Sequence, residues 1–448
     1  MVVLLKILQV ILALSVLILI HELGHFIFSK IFGVRVEKFY LFFDLGSKRL
    51  FSTKNSRLVK RFFPRLADCE TDYGIGWLPL GGYCKISGMI DESLDTEQLA
   101  REPEPWEFRT KPAWQRLLIM FGGVLMNFLL AIFIYIGMLA VSGESYISND
   151  GAEIYPNELS SDMGFRCGDH IISFDDYIPE NFSMLQADLA RRDVSKAVVL
   201  RGGDTLDIYI DHTRIGEVLE SESMFSLAIP FVIDSIPPTS PNYASGLRPG
   251  DRIVSVAGEP VDYVQDSREL LRAHASSITQ VLVERDSSSL EMALTVDSLG
   301  LIGVYTRFPY DLVKSRDYGF FEAVPAGVKL TFSTIGGYIR DLKLVFTPST
   351  EAYKSVGSFI SIGQVFPDSW NWLQFLNILA LLSIMLGVMN LIPIPGLDGG
   401  HILFTLYEMI FRRKPSDRFL LVAQYIGMLL LIALMILAFG NDIGRLIK

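Results

Sequence analysis

His21, Glu22 and His25 are three residues whose types and spacing could do chemistry. At 3.6 residues per helical turn, side chains four apart share a face, so both imidazoles can converge on one tetrahedral metal ion such as zinc. Glu22 sits next to that face, where its carboxylate can take a proton from water rather than bind the metal. Zinc brings the pKa of water from about 15.7 to roughly 7, so hydrolysis at neutral pH is the reaction this trio could run. Two histidines leave a catalytic zinc one protein ligand short, and a carboxylate is the usual third. Asp398, between Leu397 and the pair Gly399 and Gly400, is the natural candidate. The same segment also reads as a helix-capping turn, since Asp is a good N-cap.

The element that must position the trio is apolar. Ile7–Phe28 is long enough to span a bilayer, which needs about 20 apolar residues, and ionisable groups inside such a helix mark function by default. No small-residue cleavage site follows it, so it reads as a retained span and not as a signal peptide. Leu117–Val141, the first part of Trp372–Leu397, and Phe419–Gly440 are three further spans without a charged residue. The chain is 448 residues long and half hydrophobic, with a mean hydropathy of +0.35, as suits a membrane protein with extramembrane parts. A net charge of −10, with the basic residues gathered in loops, gives no sign of a nucleic-acid partner. Cys69, Cys84 and Cys167 are too few and too scattered for a disulfide framework or a cysteine zinc site. Lys30, Arg35, Lys38, Arg109, Lys111, Arg116, Arg412, Arg413, Lys414 and Arg418 fall on one side if both termini face outward, which is the orientation expected from positive loops.

Between the spans the pattern changes. Val34–Leu50 has the β-branched and aromatic content of strands. Tyr73–Met89, rich in glycine and broken by Pro79, reads either as a re-entrant β-hairpin lining the site or as a hairpin that merely packs on the protein. Asp91–Pro112 is an acidic, proline-bearing loop. In the second span Gly122, Gly123 and Asn127 break the bulk; helix packing explains the glycines, and an amide can hydrogen-bond a neighbour or a substrate backbone. Asn390, at the end of the third span, offers another. Residues 163–173 and 245–255 repeat a Gly-x-x-x-Gly-Asp-x-Ile core, Asp169 matching Asp251 82 residues later, and this period predicts two tandem modules. The repeat resembles the bacterial PDZ signature, clear in the second copy around Gly246 and Leu247 and worn in the first. PDZ domains bind extended segments or C-termini by strand addition. Tyr318–Gln364, interrupted by charges, reads as an amphipathic helix on the outer membrane surface, with bends at Gly336, Gly337 and Gly357.

Together, the histidine motif in the first span, Asn390–Gly400 after the third, and a PDZ pair between spans two and three resemble the site-2 protease family of intramembrane zinc metalloproteases. The resemblance implies that His21, His25 and Asp398 bind one zinc and that Glu22 is the general base. It implies cleavage of single-span membrane proteins within the bilayer and a bacterial cytoplasmic (inner) membrane location with the PDZ pair outside; the candidate substrate contacts are the Asn127 and Asn390 amides, which can bond an unwound backbone, and Gly246 and Leu247 of the clearer PDZ-like copy. The expected fold is a multi-pass α-helical membrane protein of four transmembrane helices with a membrane-associated β-rich region and two tandem α+β PDZ domains. The expected boundaries are 1–31 (first helix), 32–112 (loop with the hairpin), 113–143 (second helix), 144–224 and 225–306 (PDZ domains), 307–371 (surface region), 372–396 (third helix), 397–417 (motif and loop) and 418–440 (fourth helix). The chain departs from the family pattern at Phe42-Phe43-Asp44 and at Val356-Gly357-Ser358. A silent membrane adaptor with a structural zinc and a metal transporter are the rival readings. Intact Glu22 counts against the first, and two extramembrane modules with only four spans count against the second.

Overall fold

The computed structural model describes residues 2–44, 49–78, 81–89, 102–286 and 288–447; Pro79 and the stretch 91–101 of the acidic loop lie outside them. The chain divides into two compact units, Met1–Gly143 with Asp317–Phe346 and Tyr353–Lys448, and Glu144–Arg316 with Thr347–Ala352.

The first unit is built on α1 (Val2–Ile31), α2 (Ala113–Ser142), α3 (Phe320–Val345), α4 (Phe359–Val365), α5 (Trp372–Leu391), α6 (Asp398–Phe411) and α7 (Asp417–Ile447). Among the described residues four helices are long and apolar enough to cross a membrane, in α1, α2, α5 and α7. Their 20 or more residues at about 1.5 Å each cover the roughly 30 Å of hydrocarbon. Small residues set how they meet. A Cβ on Gly24 of α1 would overlap the Gly122 carbonyl of α2, and one on Gly122 would come within 2.6 Å of Phe28 Cδ2. Backbone therefore touches backbone at this crossing, which fixes the register of α1 on α2.

One face of α3 joins the helices: Leu330, Ile335, Tyr338 and Leu342 pack on Ala131 and Tyr135 of α2 and on Ala380, Ile384 and Val388 of α5, while Phe320, Phe321, Phe332 and Ile339 stay exposed. Gly336 and Gly337 do not bend it, because α3 runs through both, and a new helix begins only after Gly357. That second helix is pinned from α7. The buried Asp442 carboxylate accepts hydrogen bonds from the Ser358 N–H at 2.8 Å, from Ser358 Oγ at 2.5 Å and from the Ser361 N–H at 3.1 Å, a cap supplied by a distant residue.

Between α1 and α2 lies a four-stranded sheet of β1 (Val36–Leu41), β2 (Arg49–Ser52), β3 (Asp72–Gly76) and β4 (Tyr83–Ile86) in the order β2-β3-β1-β4. The expected hairpin in 73–89 does not form. β3 pairs parallel with β1 and β4 antiparallel with its other side, so the two strands flank β1 and never meet. A side-chain hub explains the choice. Asp72 at the head of β3 accepts from Tyr40 Oη (2.8 Å), Ser52 Oγ (2.8 Å), Thr53 Oγ1 (3.1 Å) and the Lys54 N–H (3.2 Å), tying β3 to β1 and β2. Burial pushes the Asp72 carboxyl up, but these donors outweigh it and hold it below the usual carboxylate range. Asp44 fastens the other side, accepting from Tyr83 Oη of β4 at 2.7 Å and from Lys38 at 2.9 Å. β4 is left as the sheet's edge.

The second unit carries the repeat in three dimensions. Strands His170–Phe174, Lys196–Arg201 and Asp204–Tyr209 form one antiparallel sheet, and Arg252–Val256, Ile278–Arg285 and Ser288–Thr295 form its counterpart with the added strand Glu259–Pro260. The buried Asp169 accepts from the Arg166 N–H and takes Nε and Nη2 of Arg201, whose Nη2 also reaches the Gly164 carbonyl. Asp251 does the same with the Arg248 N–H, Arg285 and the Gly246 carbonyl. The Gly-Asp signature is thus a structural clasp. Removing either arginine would leave a buried carboxylate without its partner, which is unfavourable.

Candidate metal centre

α1 presents His21 and His25 on its buried face, and α6 starts so that Asp398 meets them. α5 ends at Leu391, and after Ile392 and Pro393 the chain makes a turn closed by the Leu397 N–H on the Ile394 carbonyl, with Gly396 at positive φ, so that Leu397 is the N-cap of α6. Asp398 is the first helical residue and not the cap. Its side chain turns instead to the imidazoles, Oδ2 lying 3.0 Å from His21 Nε2 and 3.3 Å from His25 Nε2. The capping-turn reading therefore gives way. Gly427 of α7 seals the turn from outside, since a Cβ there would overlap the Pro395 carbonyl.

These three atoms form a group that could hold a metal ion. Ligand atoms about 2.0–2.1 Å from a tetrahedral zinc are separated by roughly 3.3 Å. The distances here are 3.3 Å between the two Nε2 atoms and 3.0 and 3.3 Å to Oδ2. Asp398 Oδ2 is buried and has no hydrogen-bond donor among the described residues, a costly state for a carboxylate oxygen unless a cation completes it. The nitrogen and oxygen donor set, the spacing and the orphaned oxygen all fit zinc.

The supporting contacts follow from the helix register. His25 Nδ1 faces the Ile119 carbonyl of α2 at 2.9 Å; a carbonyl only accepts, so Nδ1 carries a proton and Nε2 is the atom left for a metal. Gly123 lies against both rings, where a Cβ would come within 2.5 Å of His25 Nε2 and 2.7 Å of His21 Cε1. No larger residue fits there without displacing an imidazole. The Glu22 carboxylate lies near His21, His25 and Asp398 and near the backbone of Cys84 in β4.

The remaining sequence candidates separate. The Asn127 side-chain amide lies 3.2 Å from His21 Nδ1, and the Asn127 backbone carbonyl accepts from Ser383 Oγ at 2.8 Å. Asn127 is fully buried, so it supports an imidazole and does not face a substrate, a correction that follows from the closeness of α2 and α5. Asn390 Nδ2 lies 3.2 Å from His21 Nε2 and stays partly exposed beside the site. Leu247 is packed in the module core with its N–H against Ser245 Oγ, while Gly246 is exposed and gives its carbonyl to Arg285. Gly24, Gly122, Gly123 and Ile119 had no assigned part in the site; the glycine pair beside Asn127 was the available signal, but backbone contacts such as that of Ile119 leave no mark on residue type.

The peptidase family M50 model matches residues 9–434. "Regulator of sigma-E protease RseP" of Escherichia coli K12 is 30% identical over 97% of this chain and 98% of its own length, and "Protease RseP" of Yersinia pestis is 30% identical with the same coverage. A Vibrio cholerae protein named a zinc metalloprotease is 26% identical, again over 97% of this chain and 98% of its own. With the helices and the family in agreement, the chain belongs to peptidase family M50 and is a membrane zinc metalloprotease of the site-2, RseP type.

Proposed function

We propose that this protease cleaves transmembrane segments of single-span membrane proteins, with His21, His25 and Asp398 holding one zinc and Glu22 as general base. The observation that carries this reading is the three ligand atoms at tetrahedral spacing beside Glu22, all within or next to an apolar helix. Zinc bound there supplies an acidified water and polarises a carbonyl. Glu22 takes the proton and passes it to the leaving nitrogen. Asn127 holds His21: an amide's oxygen and nitrogen exchange by a half-turn, and Asn127 Oδ1, otherwise buried without a partner, then accepts from a His21 Nδ1–H. A helical substrate hides its amides, so it must be extended before attack. The edge strand β4, whose Cys84 backbone lies near Glu22, is where that extension by strand addition would occur, with the partly exposed Asn390 amide beside the site.

Membrane proteins trimmed by an earlier protease are the proposed substrates, such as an anti-sigma factor or a signal-peptide remnant. The two modules of the second unit act as PDZ domains that admit trimmed chains or bind their C-termini. Incubating the purified protein with a panel of single-span substrates should give cleavage within the span, abolished by a chelator and restored by zinc. Binding of substrates without cleavage by zinc-loaded protein would leave only an adaptor.

The loops rich in Lys and Arg support an inner-membrane orientation with both termini and the PDZ pair outward. Cys167 and Cys69 are both exposed. A membrane-impermeant thiol reagent applied to spheroplasts should therefore label Cys167 and spare Cys69; the reverse pattern would invert the topology.

A further inference from the structure

The basic residues that indicate orientation also converge on a cavity. At one end of the first unit, the start of α2, the end of α6, the loop into α7 and the segment after β4 enclose about 60 Å³, several times what one water needs. One part of the wall is apolar, from Met89, Phe108, Phe404 and Leu420. The other carries Arg109, Arg116 and Lys414, with His401 and the single carboxylate of Glu408.

Arg116 is the decisive group. Its side chain is only 9% exposed, with Nη2 on Glu408 Oε1 at 2.5 Å and Nε on the Lys111 carbonyl at 3.0 Å. Among the described residues nothing accepts from Nη1, so this guanidinium keeps a donor that a further acceptor in the cavity could take. Lys414 has no acceptor among the described residues either, whereas Arg109 is engaged by Glu107 at 2.5 Å. Among the described residues the lining thus carries more cationic side chains than the one carboxylate of Glu408.

Its depth points to the source of the anion. Arg116 immediately precedes the apolar run Leu117–Val141, and Lys414 lies four residues before the apolar window of α7 that begins at Arg418. That is the level at which phospholipid phosphates sit, and a wall half cationic and half apolar matches a headgroup with the start of its chains.

We propose that this cavity binds the phosphate of an anionic phospholipid. The site adjoins the metal centre through two helices: Arg116 is one turn from Ile119, which holds His25, and Glu408 lies on the helix that Asp398 begins. Lipid occupancy here steadies both.

The test uses the full-length protein in detergent, titrated with phosphatidylglycerol, phosphatidylcholine or inorganic phosphate and read by native mass spectrometry and thermal unfolding. Phosphatidylglycerol is expected to bind and raise the melting temperature, and the other two are not. Lys414→Gln, an exposed change that leaves the Arg116 and Glu408 pair intact, should weaken phosphatidylglycerol about fivefold. Lys314→Gln, on the second unit, should leave it unchanged. Equal loss with Lys314→Gln, or undiminished binding with Lys414→Gln, would refute the site. Protection by inorganic phosphate equal to that by lipid would make it a site for a soluble anion and overturn the lipid assignment.

Discussion

Glu22→Gln is expected to keep zinc bound while proteolysis falls by about 10²–10⁴-fold, the range for losing a general base, or further because water activation suffers as well. Glutamine keeps the size and polarity of the side chain but cannot take a proton. His21 Nε2, His25 Nε2 and Asp398 Oδ2 are the three atoms grouped for a metal, and Glu22 contributes none of them. Zinc content and cleavage rate measured in one preparation separate the roles. Normal cleavage by the Glu22→Gln protein would remove Glu22 from the mechanism, and loss of zinc would make it a ligand.

Asp398→Ala should lose both zinc and activity while its helix survives. Leu397 and not Asp398 is the N-cap of α6, and α7 supports the preceding turn through Gly427, so the substitution removes a carboxylate without removing a cap. The loss of affinity should exceed the roughly 10–100-fold expected for a supporting contact such as Asn127→Ala, because one of three proposed protein ligands is gone. Unchanged far-ultraviolet circular dichroism together with absent zinc is the expected pair of readings. Full zinc occupancy with normal cleavage would place the third ligand elsewhere.

Both predictions rest on residues that could be picked out of the chain before any fold was known. The spacing of His21 and His25 is a helical period, and it sits in a run too apolar to be anything but buried, so local geometry and the cost of ionisable groups in such a helix identify the pair. The same holds for the four long helices and for the tandem modules, whose Gly-Asp core repeats because each copy needs the same buried clasp. Properties that depend on short-range periodicity or on a repeated local motif are written in consecutive residues.

The tertiary structure decided what depends on residues far apart in sequence. That Asp398 faces the histidines and does not cap its helix follows from α6 being set against α1 and α2, which no local pattern specifies. The hairpin expected in 73–89 opened because Asp72 binds Tyr40, Ser52 and Thr53, drawing β3 to the far side of β1 and leaving β4 at the edge next to Glu22. Asn127 became an imidazole support because α2 runs close enough to α1 for Gly122 to touch Gly24. Leu247 went to the module core because Phe231, Ile253 and Val283, from distant parts of the module, form one buried cluster with it. In each case a long-range contact chose between local conformations of similar energy, so the sequence could name the residues while only the packed chain could assign their partners.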